Sequence, residues 1–166
     1  KNQKNLMKSR GNFAKNMNKN TQKKSLVPTK FESINFEIKG DSRGSLIAIE
    51  NNKNIPFEIK RIYYIFDTKT GVERGFHAHL NLQQILIAVS GSCQIVLDNG
   101  KPENNNEIIT LNNPNQGLYI SGLIWRKMIN FSPDCVLLVL ADDFYNESDY
   151  IRNYDEFLKV VKSNEQ

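Results

Sequence analysis

The sequence predicts an all-β barrel or sandwich closed by a short C-terminal helix, and three observations carry that prediction. From Phe31 onward the chain breaks into about ten short apolar runs of strand length. Gly, Asn, Asp and Pro punctuate those runs, with Gly40-Asp41 and Asp98-Asn99-Gly100 as turns and Asn113-Pro114-Asn115-Gln116-Gly117 as a loop. The 166 residues allow one domain with a real core, and nothing repeats at a fixed period.

Taken in order, residues 1–30 are rich in Lys, Asn, Gln and Ser, with little to bury, and are expected to form a basic disordered tail or linker. The first residue is Lys. That fits a piece of something longer equally with a natural start at Met7 or Met17. The folded domain is expected over 31–166, with strands at 34–38, 45–50, 59–66, 75–79, 84–89, 93–98, 107–111, 117–120, 124–131 and 135–141. Together they are rich in β-branched and aromatic residues, with turn residues between them. After Asp143, Ser148 is placed to cap a helix whose Ile151, Tyr154, Phe157, Leu158 and Val161 recur at helical spacing, giving an apolar face to lay on the barrel. Cys93 and Cys135 fall inside apolar runs and are read as small core residues without a disulfide.

The net charge of +4 is unevenly spread. Residues 1–30 hold nine basic and no acidic side chains, which leaves 13 basic against 18 acidic, or −5, in the rest. A mildly acidic body has no footprint for nucleic acid. No apolar run approaches the ~20 residues of a membrane span, and the tail lacks the apolar stretch of a signal peptide. A cytoplasmic protein without nucleic-acid or membrane partners is expected.

The most specific local pattern is Gly71, five residues, His77-Ala78-His79, four residues, Gln84, six residues, Gly91. This is the spacing of the first half of a cupin metal motif, with Gln84 where a Glu ligand belongs. The second half appears as Gly122-Leu-Ile-Trp125, with Trp125 in place of the last His. The fold expected is therefore a cupin, a double-stranded β-helix or jelly-roll barrel. His77 and His79 are the only histidines and sit two apart, so in a strand both face one way. Two imidazoles, a neutral amide and an indole make a poor first shell for a metal. An imidazole pair suits proton transfer near neutral pH, such as moving a proton between adjacent carbons through an enol. Gln84 would then serve as a neutral hydrogen-bond partner in the same pocket. Only one of Tyr63 and Tyr64 can face the interior, and parity does not choose between them. Trp125 either packs the barrel mouth or offers a stacking surface.

Beyond that motif, Asp41-Ser-Arg-Gly-Ser-Leu46, Asn54-Ile-Pro-Phe57, Lys60-Arg-Ile-Tyr-Tyr-Ile-Phe66, Arg74-Gly-Phe-His-Ala-His79, Val89-Ser-Gly-Ser-Cys93 and Asp149-Tyr-Ile-Arg-Asn-Tyr-Asp155 occur in order. Together they resemble the sugar-nucleotide 3,4-ketoisomerases, over about residues 31–158. The resemblance implies metal- and cofactor-free conversion of dTDP-4-keto-6-deoxyglucose into a dTDP-3-keto-6-deoxyhexose through an enediol. The Asp-Ser-Arg-Gly start leans towards the galacto product. The resemblance also implies a homodimer with exchanged strands, a pyridoxal-phosphate aminotransferase as next enzyme, and a 3-amino sugar destined for surface polysaccharide or S-layer glycan. It implies that His77, His79 and Tyr63 do the chemistry; from the residues themselves, Tyr64, Gln84 and Trp125 are candidates for contacting the substrate. Arg43 and Arg74 are candidates for the diphosphate, because a planar guanidinium matches phosphate oxygens, or for shaping the sugar pocket. Arg74 lies an odd number of residues from His77, so a regular strand would point it away. Some members are fused behind an N-acetyltransferase domain, which the basic tail would fit. Three other classes share the barrel. A 3,5-epimerase would pair a His with an Asp, and no matching Asp stands out; a metal-dependent dioxygenase would need a third strong ligand; a sugar-nucleotide binding protein would need neither histidine.

Overall fold

The computed structural model describes residues 27–103 and 106–164, so the rest of the expected tail lies outside it. Among the described residues two five-stranded antiparallel sheets pack face to face. The first runs β1 (Lys30–Asn35), β9 (Gln116–Ser121), β6 (Gln83–Ser90), β11 (Val136–Ala141), β4 (Arg61–Ile65). The second runs β12 (Tyr150–Ile151), β5 (Arg74–His79), β10 (Trp125–Ile129), β7 (Cys93–Asp98), β8 (Glu107–Leu111). A separate hairpin joins β2 (Lys39–Asp41) to β3 (Gly44–Leu46). This is the expected jelly-roll barrel, and one helix, α1 (Tyr154–Ser163), closes it.

Alternation along the strands builds the core. Leu86 and Ala88 of β6, Leu118 and Ile120 of β9, and Leu137 and Val139 of β11 meet Ile95 and Leu97 of β7 between the sheets. Cys93 and Cys135 lie in this cluster as free buried thiols. The residues in between, Ile85, Ile87 and Tyr119, are buried too, because Phe36, Ile55 and Phe57 lie over the outer face of the first sheet. A strand covered on both faces reads as an unbroken apolar run, which is why 85–88 lacks a polar alternate.

Several boundaries move. Lys30 already pairs with Ser121, Thr29 Oγ1 accepts from the Leu123 amide, and Ser121 Oγ donates to the Pro28 carbonyl, so residues 27–30 belong to the folded body rather than the tail. The strand expected at 45–50 is only β3, and Ile47 and Ile49 beyond it pack against the outer cluster. Ser148 does not cap the helix. Tyr150 and Ile151 satisfy their backbone groups by pairing with His79 and Ala78 on the free edge of β5, which ends any helix before it starts. The 3-10 turn Glu147–Asp149 precedes them, and α1 begins after Asn153, whose side chain accepts from the Glu156 amide. Phe157 and Val161 then bury against Ala78, Leu123 and Ile151. Among the described residues no helix is long and apolar enough to cross a membrane.

Candidate active site

The site is built where β5 runs between β10 and β12. Arg126 faces His77 and Lys127 faces Gly75, so Phe76 is an extra residue on β5. Gly75 and Phe76 both take positive φ, +94° and +55°. A Cβ on Gly75 would stand 2.9 Å from the Arg126 carbonyl, so only glycine fits the bulge. The bulge breaks the alternation, and Arg74 and His77 line the same cavity although they are three apart. Parity predicts the reverse for Arg74, because parity assumes a regular strand.

That cavity, about 510 Å³, is also lined by Tyr63 and Arg61 of β4, Met128 of β10, and Tyr145, Tyr150 and Arg152 of the C-terminal segment. His79 lies behind His77, only 1% exposed, with the two rings edge-on at 4.9 Å. Its Nδ1 is 2.8 Å from Asp149 Oδ2, and Asp149 Oδ1 accepts from the Asn81 amide. A carboxylate only accepts, so Nδ1 of His79 carries the proton and Nε2 the lone pair. The Tyr150 ring lies against both imidazoles, 5.0 Å from His77 and 4.2 Å from His79, and the Arg152 guanidinium lies over the same ring at 4.4 Å.

Opposite the histidines, Gln84 is buried and its amide bridges two groups. Arg126 Nη1 donates to Gln84 Oε1 at 2.6 Å, and Gln84 Nε2 donates to the Tyr63 hydroxyl oxygen at 2.9 Å. Arg126 is itself fully buried, with Nε and Nη2 donating to the Ile124 carbonyl at 3.2 and 2.9 Å. Burial pulls its guanidinium down to about 10, which still leaves it charged. Burial, then the positive Arg126 and the neighbouring His79, push the His77 imidazole down to about 3, with the Gly75 backbone acting the other way. His79 is held low mainly by burial, then by Arg126, Arg61 and Arg152. Burial raises the Tyr63 phenol. At neutral pH the site thus holds two neutral imidazoles and a protonated phenol beside a fixed positive charge.

The structure brings together His77, His79, Tyr63, Gln84 and Arg74. It does not bring in Tyr64, Trp125 or Arg43. Tyr64 is 62% exposed on the outer face of β4 beside Phe66, since strand alternation gives the interior to Tyr63. Trp125 points out of the barrel into Tyr154 and Phe157 of α1, at 5.2 and 5.7 Å, and the next residue, Arg126, takes the inward place. Arg43 sits on the β2–β3 hairpin in a forked ion pair with Asp41, lining a groove made by that hairpin alone. Sequence reasoning missed Arg126, Asp149 and Tyr150. Arg126 carried a signal, a charged residue within an apolar strand run; Asp149 and Tyr150 were hidden by the helical reading of 148–161.

Paired imidazoles and a phenol inside a cupin barrel, with the Gln84 amide at a ligand position of the motif, define a cupin whose side chains suit acid/base chemistry. Residues 29–162 match the family model described as FdtA: WxcM-like, C-terminal. The chain is 56% identical over 128 residues, 77% of its own length and 90% of the relative's, to the TDP-4-oxo-6-deoxy-alpha-D-glucose-3,4-oxoisomerase of Aneurinibacillus thermoaerophilus. It superposes on a 3,4-ketoisomerase from Helicobacter canadensis with a TM-score of 0.77 at 57% identity, covering 81% of this chain and 99% of that one. For the WlaRB TDP-quinovose 3,4-ketoisomerase of Campylobacter jejuni the values are 0.73 and 58%, covering 78% and 97%. The chain belongs to this WxcM-like family and is a sugar-nucleotide 3,4-ketoisomerase.

Proposed function

We propose that the protein converts dTDP-4-keto-6-deoxyglucose into a dTDP-3-keto-6-deoxyhexose, with His77 as the base and Tyr63 as the hydrogen-bond donor to the C4 carbonyl oxygen. The observation that carries this reading is that His77 and Tyr63 line one cavity, one as a neutral imidazole and the other as a protonated phenol. His77 takes the proton from C3 while O4, its growing charge held by Tyr63, takes a proton, giving an enediol; the proton later lost from O3 balances the one gained at O4. The O3 proton then leaves as the C3 carbonyl forms, and a proton returns to C4, so one C–H bond is broken and one made. His79, its tautomer fixed by Asp149, backs His77 as a neutral neighbour.

Arg74 and Arg61, with Arg152 at the rim, fit a diphosphate. Its negative charge would oppose the guanidinium contribution that depresses His77 and lift the base towards its working range. In a homodimer with exchanged strands, Ile62, Tyr64 and Phe66 on the exposed outer face of β4 would be covered, and the Arg43 hairpin would serve the neighbouring chain. The Asp41-Ser-Arg-Gly44 start favours the galacto product, whereas the 58% identical relative named for TDP-quinovose favours the gluco one. The 3-keto product suits a pyridoxal-phosphate aminotransferase and a cytoplasmic route to surface polysaccharide. Proton NMR of the product tests the reading. A carbonyl at C3, with a C4–H coupling that gives the configuration, supports it. Inversion at C3 and C5 with the carbonyl left at C4 would overturn it; the His79–Asp149 pair, which sequence reasoning missed, serves to fix the His79 tautomer.

A further inference from the structure

We infer that Arg126, acting through Gln84, sets the direction of the Tyr63 hydroxyl proton, so that the phenol presents a donor to the cavity. The inference rests on the reading of Tyr63 above. A glutamine amide can be turned either way, and its two ends differ only by what they meet. Here one end meets Nη1 of Arg126, a group that only donates, at 2.6 Å. That end must be the carbonyl. The NH₂ end therefore faces Tyr63, whose oxygen accepts at 2.9 Å. With its oxygen engaged by that donor, the phenol's own hydrogen points away from Gln84, and the free direction is the cavity shared with His77.

Each part has a physical reason. Arg126 is held by two further bonds to the Ile124 carbonyl, so its fork cannot swing away from Gln84. A lysine there would keep the charge but lose the planar fork. A glutamate at position 84, the residue type a cupin metal site would use, would reverse the arrangement. Its carboxylate would accept from both Arg126 and Tyr63, turning the phenol proton inward and leaving the substrate oxygen without its donor. Gln84 and Arg126 are thus positioning residues, and the neutral amide is required by the direction of one proton.

The test compares Gln84→Glu, Arg126→Lys and Tyr63→Phe with the combined Tyr63→Phe/Gln84→Glu and Tyr63→Phe/Arg126→Lys proteins. Gln84→Glu and Tyr63→Phe should each lower kcat about 100-fold, in line with loss of one oxyanion donor, with KM changed little. The double variant should be no slower than Tyr63→Phe alone, and Arg126→Lys should lower kcat without further loss in the Tyr63→Phe background. Wild-type kcat retained in Gln84→Glu, or multiplied losses in the double variant, would overturn the inference. A readout independent of turnover separates its failure from that of the proposed function. In protein labelled with ¹³Cζ-tyrosine, the Tyr63 signal, assigned by its loss in Tyr63→Phe, should move downfield in Gln84→Glu as the phenol begins to donate to a carboxylate. An unmoved signal would overturn the inference whatever the substrate proves to be.

Discussion

Replacing His77 with Gln should make the fold less sensitive to acid, although the substitution itself removes packing. The unfolded imidazole titrates near 6.5, whereas the folded one is held at about 3, chiefly by burial. Between these values the unfolded chain binds a proton that the native state refuses. Stability from this group is therefore complete above the unfolded value and is lost as pH falls from about 6.5 towards 3. Between pH 7.5 and pH 5.0 the loss covers about 1.5 pH units, or about 2 kcal/mol at roughly 1.4 kcal/mol per unit. Urea unfolding of the wild type and His77→Gln at both pH values gives the double difference, in which the fixed cost of the substitution cancels. The wild type should lose about 2 kcal/mol more than the variant on going to pH 5.0. Equal losses would show that His77 titrates normally and would refute the neutral, desolvated imidazole on which the site's chemistry rests.

Asp149→Asn should leave the fold in place but lower kcat at least about tenfold, because an amide can present either end to Nδ1 and no longer fixes the His79 tautomer; steady-state kinetics with an unchanged circular dichroism spectrum checks it. Gly75→Ala should cost about 1–3 kcal/mol by forcing a Cβ at φ +94° against the Arg126 carbonyl. It should also reduce activity, since the bulge aims both Arg74 and His77, and thermal melts with parallel assays would read the two effects. Trp125→Ala should lower stability by about 3 kcal/mol, the low end for a tryptophan because the ring is only part-buried against α1, yet change KM for the sugar nucleotide less than twofold. A large KM effect would return Trp125 to the substrate site.

The histidine spacing and the strand punctuation were legible because they are local: residues two apart on a strand share a face, and turn residues announce themselves. Tyr63 against Tyr64 was settled only when β4 paired with β11, whose Val139 lies opposite Tyr63. Arg74 defeated parity through a bulge whose sequence signal, Gly75, did not by itself specify the break. Trp125 and Arg126 exchanged roles by one residue, because the motif counts positions while the strand's start decides faces. Asp149 lay 70 residues from His79, and the edge pairing of β12 with β5 that brings them together carries no mark at either end of the sequence.

Isomerisation in deuterated buffer with dTDP-4-keto-6-deoxyglucose, followed by proton NMR for the wild type beside His77→Gln, tests the central claim most directly. The account predicts a 3-keto sugar carrying deuterium at C4 with the wild type, and neither product nor exchange at C3 with the variant. Full turnover by His77→Gln, or product formed without any solvent exchange even at the longest times in both proteins, would contradict a proton shuttle through His77 in equilibrium with solvent.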